Sequence, residues 1–316
     1  MMSQAAASSS EFRIEQIRDR LYVLRGGGRT IEAGGVRLPT AGNSLALVGD
    51  RGVLLVDTKL PGCGDPLLRA LSRITDRPLT TIVNTHAHMD HVGANAELAV
   101  DASVEVIAHE ATAEAMREMR PVGGGPAQPN PFREAGGRGL PTRTFRDRRT
   151  LETGGGAERI EIRHFGRAHT AGDAWVIFPA LGVAHTGDAF AHKAVPVLDA
   201  NAGGSGLEYP ETLARAAAEL SGVEVLVTGH HPGLLGSADL AQYREFVAEF
   251  VRAAREARRA GRPAEEFAAA WKLPQRFADA GYVSFEHLRP VRADVEAIWR
   301  ELDGRGGTDA ADFSEE

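Results

Sequence analysis

A single cysteine, Cys63, stands in this chain of 316 residues. An intrachain disulfide and a metal site built from several thiolates are therefore both excluded. Lysine is scarce as well, since Lys59, Lys193 and Lys272 are the lysines of the whole sequence. We interpret this scarcity as a coding bias towards GC-rich codons, so it carries little information about activity.

The sequence also lacks an excess of positive charge, because 36 Lys and Arg residues stand against 43 Asp and Glu residues, a formal charge of −7. This charge repels a phosphate backbone, so nucleic acid is not an expected partner. No stretch approaches the roughly 18 apolar residues of a membrane span, so no membrane partner is expected. Residues 1–20 lack the pattern of a signal peptide, which favours a cytoplasmic protein unless a longer precursor is exported.

The sequence shows the pattern of an α/β protein. Its hydrophobic content of 43% is typical of a globular protein. Strand-like runs alternate with helix-like spacing, which predicts a layered architecture. We expect one main domain over residues 12–236, helices packed on it over 237–303, a disordered tail at 1–11 and a loose tail at 304–316. The predicted strands cover residues 21–24, 45–48, 53–56, 81–83, 104–108, 159–162, 174–178, 183–185 and 223–227, and the predicted helices cover 65–74, 110–119, 210–220, a segment from the N-cap Ser237 onward, 263–271 and 287–302.

Two long segments interrupt this alternation. Residues 121–141 are crowded with Gly and Pro, and residues 195–207 contain the run Gly-Gly-Ser-Gly. Loops of this length are usually functional or disordered. We expect both segments to form the wall of a substrate pocket.

The informative motif is Thr-His-Ala-His-Met-Asp-His at residues 85–91, directly after a predicted buried strand. His86 and His88 can face one way from an extended backbone or a tight turn, while Asp90 and His91 lie on the following turn, where a helix begins. The segment thus presents two pairs of metal donors to two points. Two adjacent metal ions are the natural interpretation, and a solvated histidine-rich turn is the alternative.

Further donors close or follow later predicted strands. His169 lies in Gly-Arg-Ala-His-Thr-Ala-Gly-Asp, Asp188 follows the strand at 183–185, and His230 follows the strand at 223–227. Loops at the ends of such strands converge on one edge of a sheet. These donors can therefore complete the two coordination shells that residues 86–91 begin.

The sequence resembles the metallo-β-lactamase fold superfamily. The resemblance is carried by the order of the donors: His-x-His-x-Asp-His, then His, then Asp, then His. The resemblance covers about residues 21–231 and implies an αββα sandwich with the metals at one edge between two sheets. It implies that His86, His88 and His169 hold one metal, that Asp90, His91 and His230 hold the other, and that Asp188 bridges them. An aspartate at position 188 resembles the glyoxalase II, lactonase and related esterase branches more than the β-lactamases.

The two halves of the sequence also share one pattern of strand endings. A strand ending in Asp57 resembles the one before Asp188, and the strand before His86 resembles the one before His230. We interpret this as a trace of two related halves. Asp57 is then expected to accept hydrogen bonds that steady the loop carrying His86, with Thr85 as a second supporting residue.

The ligand set predicts hydrolysis of a small carbonyl substrate: an ester, lactone, thioester or amide such as a β-lactam. Imidazole and carboxylate donors suit two Zn²⁺ ions, although Fe or Mn is compatible with them. Metal coordination makes water a nucleophile near neutral pH, and Asp90 is expected to orient it and relay a proton. The alternatives are a mononuclear iron dioxygenase of the sulfur-dioxygenase type and a non-catalytic metal-binding module.

Other histidines fit no ligand position. His185 and His231 lie near the expected site, where they contact substrate or play structural roles. His109, His164, His192 and His287 are interpreted as structural or surface residues. The aromatic residues of the C-terminal extension are expected in the core rather than in a pocket: Trp271, Phe277, Tyr282 and Phe285.

Overall fold

Two β-sheets packed face to face form the centre of the fold. The computed structural model describes them within residues 12–33, 36–101, 103–120, 129–152, 159–284 and 291–304. In the part of the chain that these ranges cover, no helix is long and apolar enough to cross a membrane.

The first sheet begins as an antiparallel meander and ends in parallel strands. In spatial order it consists of β1 (Arg13–Arg18), β2 (Leu21–Arg25), β5 (Ser44–Val48), β6 (Val53–Val56), β7 (Leu79–Val83), β8 (Glu105–His109) and β9 (Arg143–Phe145).

The second sheet is antiparallel except for its last pair, in which β13 and β14 run parallel. In spatial order it consists of β10 (Arg148–Glu152), β11 (Arg159–Arg163), β12 (Trp175–Phe178), β13 (Val183–His185) and β14 (Val225–Val227). A separate hairpin joins β3 (Thr30–Ala33) to β4 (Val36–Pro39).

Helices cover the outer faces of both sheets and connect their strands. They are α1 (Gly64–Ser72), α2 (Met89–Val92), α3 (Asn95–Leu98), α4 (Glu110–Glu118), α5 (Pro131–Glu134), α6 (Tyr209–Glu219), α7 (Ser237–Arg259), α8 (Ala264–Ala270), α9 (Gln275–Asp279) and α10 (Val291–Leu302).

Three apolar layers hold this arrangement together. Between the sheets, residues such as Leu47 and Val56 of the first sheet pack with Ile162 and Val176 of the second. The other face of the first sheet packs on α1 and α3, and the other face of the second packs on α6, α7 and α10. Central strands are thus buried on both faces, which is why their sequences are continuous apolar runs. The αββα architecture predicted from the sequence is confirmed.

Some details differ from the prediction. Ser237 is the first residue of α7 rather than its N-cap, because Gly236 precedes the helix and its N–H donates to Asp239 Oδ2 at 2.9 Å. The segment 121–141 is not all loop: Asn130 caps the short α5 through Oδ1, and Phe132 of that helix is buried. Residues 1–11, 121–128, 285–290 and 305–316, including Phe285 and His287, lie outside the described residues.

Candidate metal centre

The predicted donors meet at the ends of parallel strands of both sheets. Residues 84–88 follow β7, and α2 begins at Met89, so that Asp90 and His91 lie on its first turn. In the second sheet Asp188 follows β13 and His230 follows β14, which are parallel neighbours. In the first sheet Asp57 follows β6, the parallel neighbour of β7. Both halves therefore place an acid and a histidine at matching strand ends.

One group of donors consists of His86, His88, His169 and Asp188, and the ligand atoms lie within 4.8 Å of one another. His169 Nε2 is 3.0 Å from His88 Nδ1. Asp188 Oδ2 lies 3.9 Å from Nε2 of His86 and 3.9 Å from Nε2 of His169. The four side chains thus converge on one point.

The second group consists of Asp90, His91 and His230. His230 Nε2 lies 3.1 Å from Asp90 Oδ2 and 3.3 Å from His91 Nε2. Asp188 also reaches this group, with Oδ1 3.4 Å from His91 Nε2 and Oδ2 3.5 Å from His230 Nε2. The structure therefore brings all seven predicted donors together and places Asp188 between the two groups.

These donors fit divalent metal ions. Two nitrogens each about 2.1 Å from a tetrahedral Zn²⁺ lie about 3.4 Å apart, close to the separations between the facing atoms. Among the described residues, His86 Nε2 and Asp188 Oδ1 are buried without a hydrogen-bond partner. Such buried polar atoms call for a partner, and a cation between the imidazoles and the carboxylate supplies one. The fold and the donor set support divalent metal binding.

Asp57 and Thr85 lie directly behind the donors. The backbone N–H of Thr85 donates to Asp57 Oδ1 at 2.8 Å, and the Thr85 hydroxyl donates to Asp57 Oδ2 at 2.7 Å. His91 Nδ1 donates to the same Oδ2 at 2.7 Å, which leaves its Nε2 facing the other donors. Asp57 adopts a φ of 58°, an uncommon conformation for a non-glycine residue, of the kind that clusters at functional sites.

Asp199 is a supporting residue that the sequence interpretation missed. Its Oδ2 lies 2.8 Å from His88 Nε2. A carboxylate only accepts hydrogen bonds, so His88 Nε2 carries the proton and Nδ1 is free to bind a metal. The neighbouring Val197 carbonyl likewise accepts from His169 Nδ1 at 2.6 Å. An aspartate ahead of a glycine-rich run is equally typical of a turn, so the sequence alone gave no signal for this role.

We expect Asp199→Asn to weaken binding of the first metal equivalent by about 10–100-fold. Replacing a hydrogen-bond partner that orients a ligating histidine typically lowers metal affinity by that factor. Competition with a chromophoric chelator measures this change, since it reports the free metal directly. The exposed Asp279→Asn is the matched control. An unchanged affinity in Asp199→Asn would show that Asp199 plays no part in metal binding.

Electrostatics differ between the two groups of donors. Burial, together with the neighbouring histidines, holds the pKa of His86 well below its usual range, and burial beside His88 lowers the pKa of His169 to about 4. Burial acts in the same direction on His91, but the carboxylates of Asp188, Asp90 and Asp57 outweigh it and raise the His91 pKa to about 9. His86 and His169 are thus neutral and ready to ligate, whereas metal binding to His91 displaces a proton.

Lys59 connects this site to the hydrophobic layer beneath it. Its buried Nζ donates to the carbonyls of Gly42, at 2.7 Å, and Leu24, at 2.9 Å. Gly42 packs against His91 so closely that a Cβ at position 42 would lie 2.4 Å from the His91 ring. The next residue, Asn43, donates from its backbone N–H to the Gly229 carbonyl at 2.7 Å. Lys59 therefore anchors the segment that joins both sheets behind the second group.

Lys59 also makes a pH-dependent contribution to stability, because burial lowers its pKa from 10.5 to about 7. Between those two values the unfolded chain binds more protons than the folded one, so this contribution to the free energy of unfolding rises with pH. We expect Lys59→Met to lack this rise. Between pH 7 and pH 10 the free energy of unfolding of wild type should therefore increase by more than about 1 kcal/mol relative to that of the variant. Urea unfolding at both pH values measures it, with the exposed Lys272→Met as control. Parallel pH profiles for wild type and Lys59→Met would contradict the assignment.

The contacts of His185 favour the structural one of the two alternatives for this residue. Its side chain is fully buried. The Gly187 N–H donates to its Nδ1 at 3.1 Å, and its Nε2 donates to the Asn43 carbonyl at 3.1 Å. Both ring nitrogens are used, so His185 has a structural role.

His231 is half-buried beside His192, with the two ring centroids 4.8 Å apart. Its Nδ1 accepts from the Gly233 N–H at 3.1 Å, which shapes the loop after His230. The geometry thus supports the structural alternative for His231. His192, for which we expect a structural or surface role, lies on the wall of a cavity that Asp188 and His230 also line.

This cavity has a volume of about 220 Å³, and two of the donors, Asp188 and His230, lie on its wall. Val195, Pro196 and Val197 contribute to its wall, in line with the expectation for the loop at 195–207, whereas the described part of 121–141 does not. The hairpin β3–β4 and helix α7 supply the remaining sides. The lining consists of Ile31, Pro39, Thr40, Asp188, Ala191, His192, Ala194, Val195, Pro196, Val197, His230 and Tyr243.

The aromatic residues of the C-terminal helices pack in the core. Phe277 and Tyr282 are buried against Phe246, with ring centroids 4.9 and 4.8 Å from it, and Trp271 lies edge-on to Phe250 at 5.5 Å. These contacts agree with the expectation of core packing for the three residues.

Comparisons with solved structures identify the same fold. A metallo-beta-lactamase from Pontibacter korlensis superposes with a TM-score of 0.59 at 20% identity, covering 75% of this chain and 99% of its own. The metallo-beta-lactamase IND-7 gives 0.57 at 20% identity over 75% of this chain and 100% of its own. The inverting sec-alkylsulfatase Pisa1 from Pseudomonas sp. gives 0.65 at 18% identity, covering 91% of this chain and 50% of its own.

Sequence comparison adds a curated relative and a family. The 2,4-dinitroanisole O-demethylase subunit alpha of Nocardioides sp. (strain JS1661) is 36% identical over 138 residues, which are 43% of this chain. The aligned region spans 37% of the length of that relative. The family model of the metallo-beta-lactamase superfamily matches residues 37–230, which include all seven donors. The chain belongs to the metallo-beta-lactamase superfamily.

Proposed function

We propose that this protein is a hydrolase that uses two metal ions, zinc in preference to iron or manganese, to cleave a small ester or lactone. The observation that carries the proposal is the position of Asp188 between two facing groups of donors, directly at a cavity. A purely structural zinc site is closed by four ligands and has no such opening, which argues against a non-catalytic metal-binding module. A thioester or β-lactam remains within the same chemistry, because each presents a carbonyl carbon to water.

In this proposal His86, His88 and His169 would hold one cation, Asp90, His91 and His230 would hold the other, and Asp188 would contribute to both sites. Two divalent cations there supply Lewis acidity and a water that is acidic enough to react near neutral pH. Asp57, Thr85 and Asp199 keep the imidazoles in the required tautomers and orientations. Tyr243 and the apolar loop at 195–197 exclude bulk water from one side of the site.

Asp90 is the proposed catalytic residue of the chain. Its side chain is 25% exposed, whereas that of Asp188 is 9% exposed, so Asp90 is the more accessible of the two acids. Burial opposes its ionisation, but His91 and His230 outweigh burial and lower its pKa to about 2. The carboxylate is therefore an acceptor at neutral pH. It orients the attacking water and passes the proton of that water to the departing alcohol as the acyl C–O bond breaks.

Metal analysis and a substrate panel test this function. We expect about two equivalents of metal per chain, loss of activity on chelation, and turnover within a panel of lactones, thioesters, aryl esters and β-lactams. An active metal-free protein would end the proposal. A single iron accompanied by oxygen uptake would favour the sulfur-dioxygenase alternative instead.

Asp90→Asn separates a catalyst from a binding module. The amide retains the shape of the side chain but neither accepts nor passes on a proton, so we expect turnover to fall by at least about 100-fold while the fold is kept. Circular dichroism and steady-state kinetics on the substrate identified by the panel measure the two effects. Unchanged turnover would remove Asp90 from the mechanism.

A second candidate function comes from the curated relative, whose name states that it removes the methyl group of 2,4-dinitroanisole. The 36% identity over 138 residues favours testing the same aryl ether here. Its cleavage by water gives 2,4-dinitrophenol and methanol, and the coloured phenol reports turnover directly. Turnover of this ether without turnover of any ester would replace the first proposal.

A further inference from the structure

Two consecutive residues directly before β5, Gly42 and Asn43, contact the segments that carry the second group of donors. The Gly42 N–H donates to the Asp90 carbonyl at 3.0 Å, and Gly42 packs directly against the His91 ring. Asn43 is 3% exposed, and its backbone N–H donates to the Gly229 carbonyl at 2.7 Å. One short segment therefore lies between the two parts of the chain that supply this group.

The side chain of Asn43 holds the turn that carries His230. Its Nδ2 donates to the carbonyl of Thr228 at 2.8 Å and to that of His231 at 3.0 Å. Together with the bond from the backbone N–H, three of the four carbonyls of the turn 228–231 accept from this one residue. An asparagine amide has two N–H donors. Asn43 therefore uses both of them, as well as its backbone N–H, on the turn.

The N–H groups of the same turn face the segment around Asp188. The Gly229 N–H donates to the Gly187 carbonyl at 3.0 Å, and the His230 N–H donates to the Ala191 carbonyl at 2.8 Å. These bonds tie the turn to the second sheet, whereas its carbonyl side faces the segment before β5 of the first sheet. The position of the turn between the two sheets thus depends on both sets of bonds.

The first group of donors has separate connections between the two sheets. The Ala174 N–H donates to the carbonyl of Thr85, the residue before the first donor, at 2.8 Å. Asp199 Oδ2 accepts from His88 Nε2 at 2.8 Å. Neither contact involves Asn43. Loss of the Asn43 amide should therefore disturb the second group and leave the first unchanged.

We propose that Asn43 is a positioning residue for the second metal, because it sets the position of His230 relative to Asp90 and His91. Ligand distances in a metal site vary by only about 0.2 Å, so a small displacement of the turn is enough to weaken the site. This inference rests on the two-metal arrangement of the proposed function and deepens it by identifying the residue that assembles the second site.

Titration of Asn43→Ala with Zn²⁺ against a chromophoric chelator tests the assignment. We expect the second equivalent to bind at least about tenfold more weakly and the first to change by less than about threefold, since supporting partners typically contribute about 10–100-fold in affinity. Arg25 still donates to the His231 carbonyl at 3.0 Å, so the turn keeps one of its partners and the variant should fold. Asn43→Ser, which retains one hydroxyl donor, should fall between wild type and Asn43→Ala, and it provides the same test if the alanine variant does not fold.

Asn130→Ala is the matched control for a loss that is only structural. The Asn130 amide also donates to two carbonyls, those of Met116 at 3.2 Å and Arg117 at 2.9 Å. Its replacement should lower the free energy of unfolding without changing either metal affinity. Titration with Co²⁺ provides a second measurement, because the visible absorption of this ion reports its coordination geometry. In Asn43→Ala the spectrum of the first equivalent should match that of wild type, and the spectrum of the second should differ.

The outcomes separate the two proposals. If Asn43→Ala binds both equivalents as tightly as wild type, or loses affinity for both equally, the positioning role is overturned while the hydrolase function stands. If wild type binds two metals but hydrolyses no member of the substrate panel, the hydrolase function is overturned, and the same titration still decides the role of Asn43. A wild-type protein that binds fewer than two equivalents would overturn both.

Discussion

Asp188→Asn is expected to reduce turnover by at least about 1,000-fold and to weaken metal binding by more than about 100-fold. Asp188 lies within 3.9 Å of Nε2 in His86, His91, His169 and His230. An amide in its place brings no charge to either group of donors. Removal of a residue that only hydrogen-bonds to a metal ligand typically lowers metal affinity by about 10–100-fold. Asp188 contacts donors of both groups, so its loss should lower metal affinity further.

The expected loss of turnover follows from the role assigned to the metals. A bound cation supplies several kcal/mol of stabilisation to the transition state, and about 1.4 kcal/mol corresponds to a factor of ten in rate. Metal stoichiometry after dialysis and kinetics on the identified substrate measure both effects. Asp76→Asn, at an exposed position in the turn before β7, is the control. A variant that still holds two metals would show that Asp188 does not bridge them.

The donor set was predictable because its signal is local and ordered. The motif at 85–91 places four donors within six residues, and the remaining three each follow a buried strand. Parallel strands end at the same edge of a sheet. Predicting the short strands β13 and β14 was therefore enough to predict that Asp188 and His230 lie close together. The central strands were predictable for a related reason, since burial on both faces leaves an uninterrupted apolar run.

The edge elements were not predictable by the same reasoning. Strands β9 and β10 have the sequences Arg-Thr-Phe and Arg-Arg-Thr-Leu-Glu, and β10 alternates between exposed and partly buried residues. Edge strands carry charge and bury little apolar surface, so they are hard to distinguish from loops in a sequence. The hairpin β3–β4 was missed as well, although Ile31 and Pro39 line the cavity.

Residues that support the site were missed because their contacts are long-range. Asp199 meets His88 across 111 positions of sequence, and Lys59 reaches the Gly42 carbonyl across 17. Nothing in the spacing around either residue distinguishes it from a surface turn residue. Asp57 was predicted because the two halves of the chain repeat one pattern. Asp199 and Lys59 are not part of that repeated pattern.

Gly229→Ala is expected to disable the site through packing alone. A Cβ at position 229 would lie 1.8 Å from Asp188 Oδ1 and 3.0 Å from Asp188 Cγ, so the carboxylate or the backbone must move. The backbone is held on both sides, because the Gly229 N–H donates to the Gly187 carbonyl at 3.0 Å and the Asn43 N–H donates to the Gly229 carbonyl at 2.7 Å. Displacement of Asp188 is therefore the easier response.

We expect this variant to bind metal at least about tenfold more weakly and to lose about 1–3 kcal/mol in the free energy of unfolding, the usual cost of overpacking a buried position. Metal titration and urea unfolding of the metal-free protein measure the two effects separately. Gly233→Ala, four residues later in the same loop, is the control, since its nearest contact would be an ordinary 3.4 Å to His231 Cε1. Gly229→Ala with unchanged metal affinity would mean that Asp188 has room to move without loss. Because alanine adds no charge and no hydrogen-bonding group, a loss of affinity here would depend on the position of Asp188 rather than on the chemistry of the new side chain.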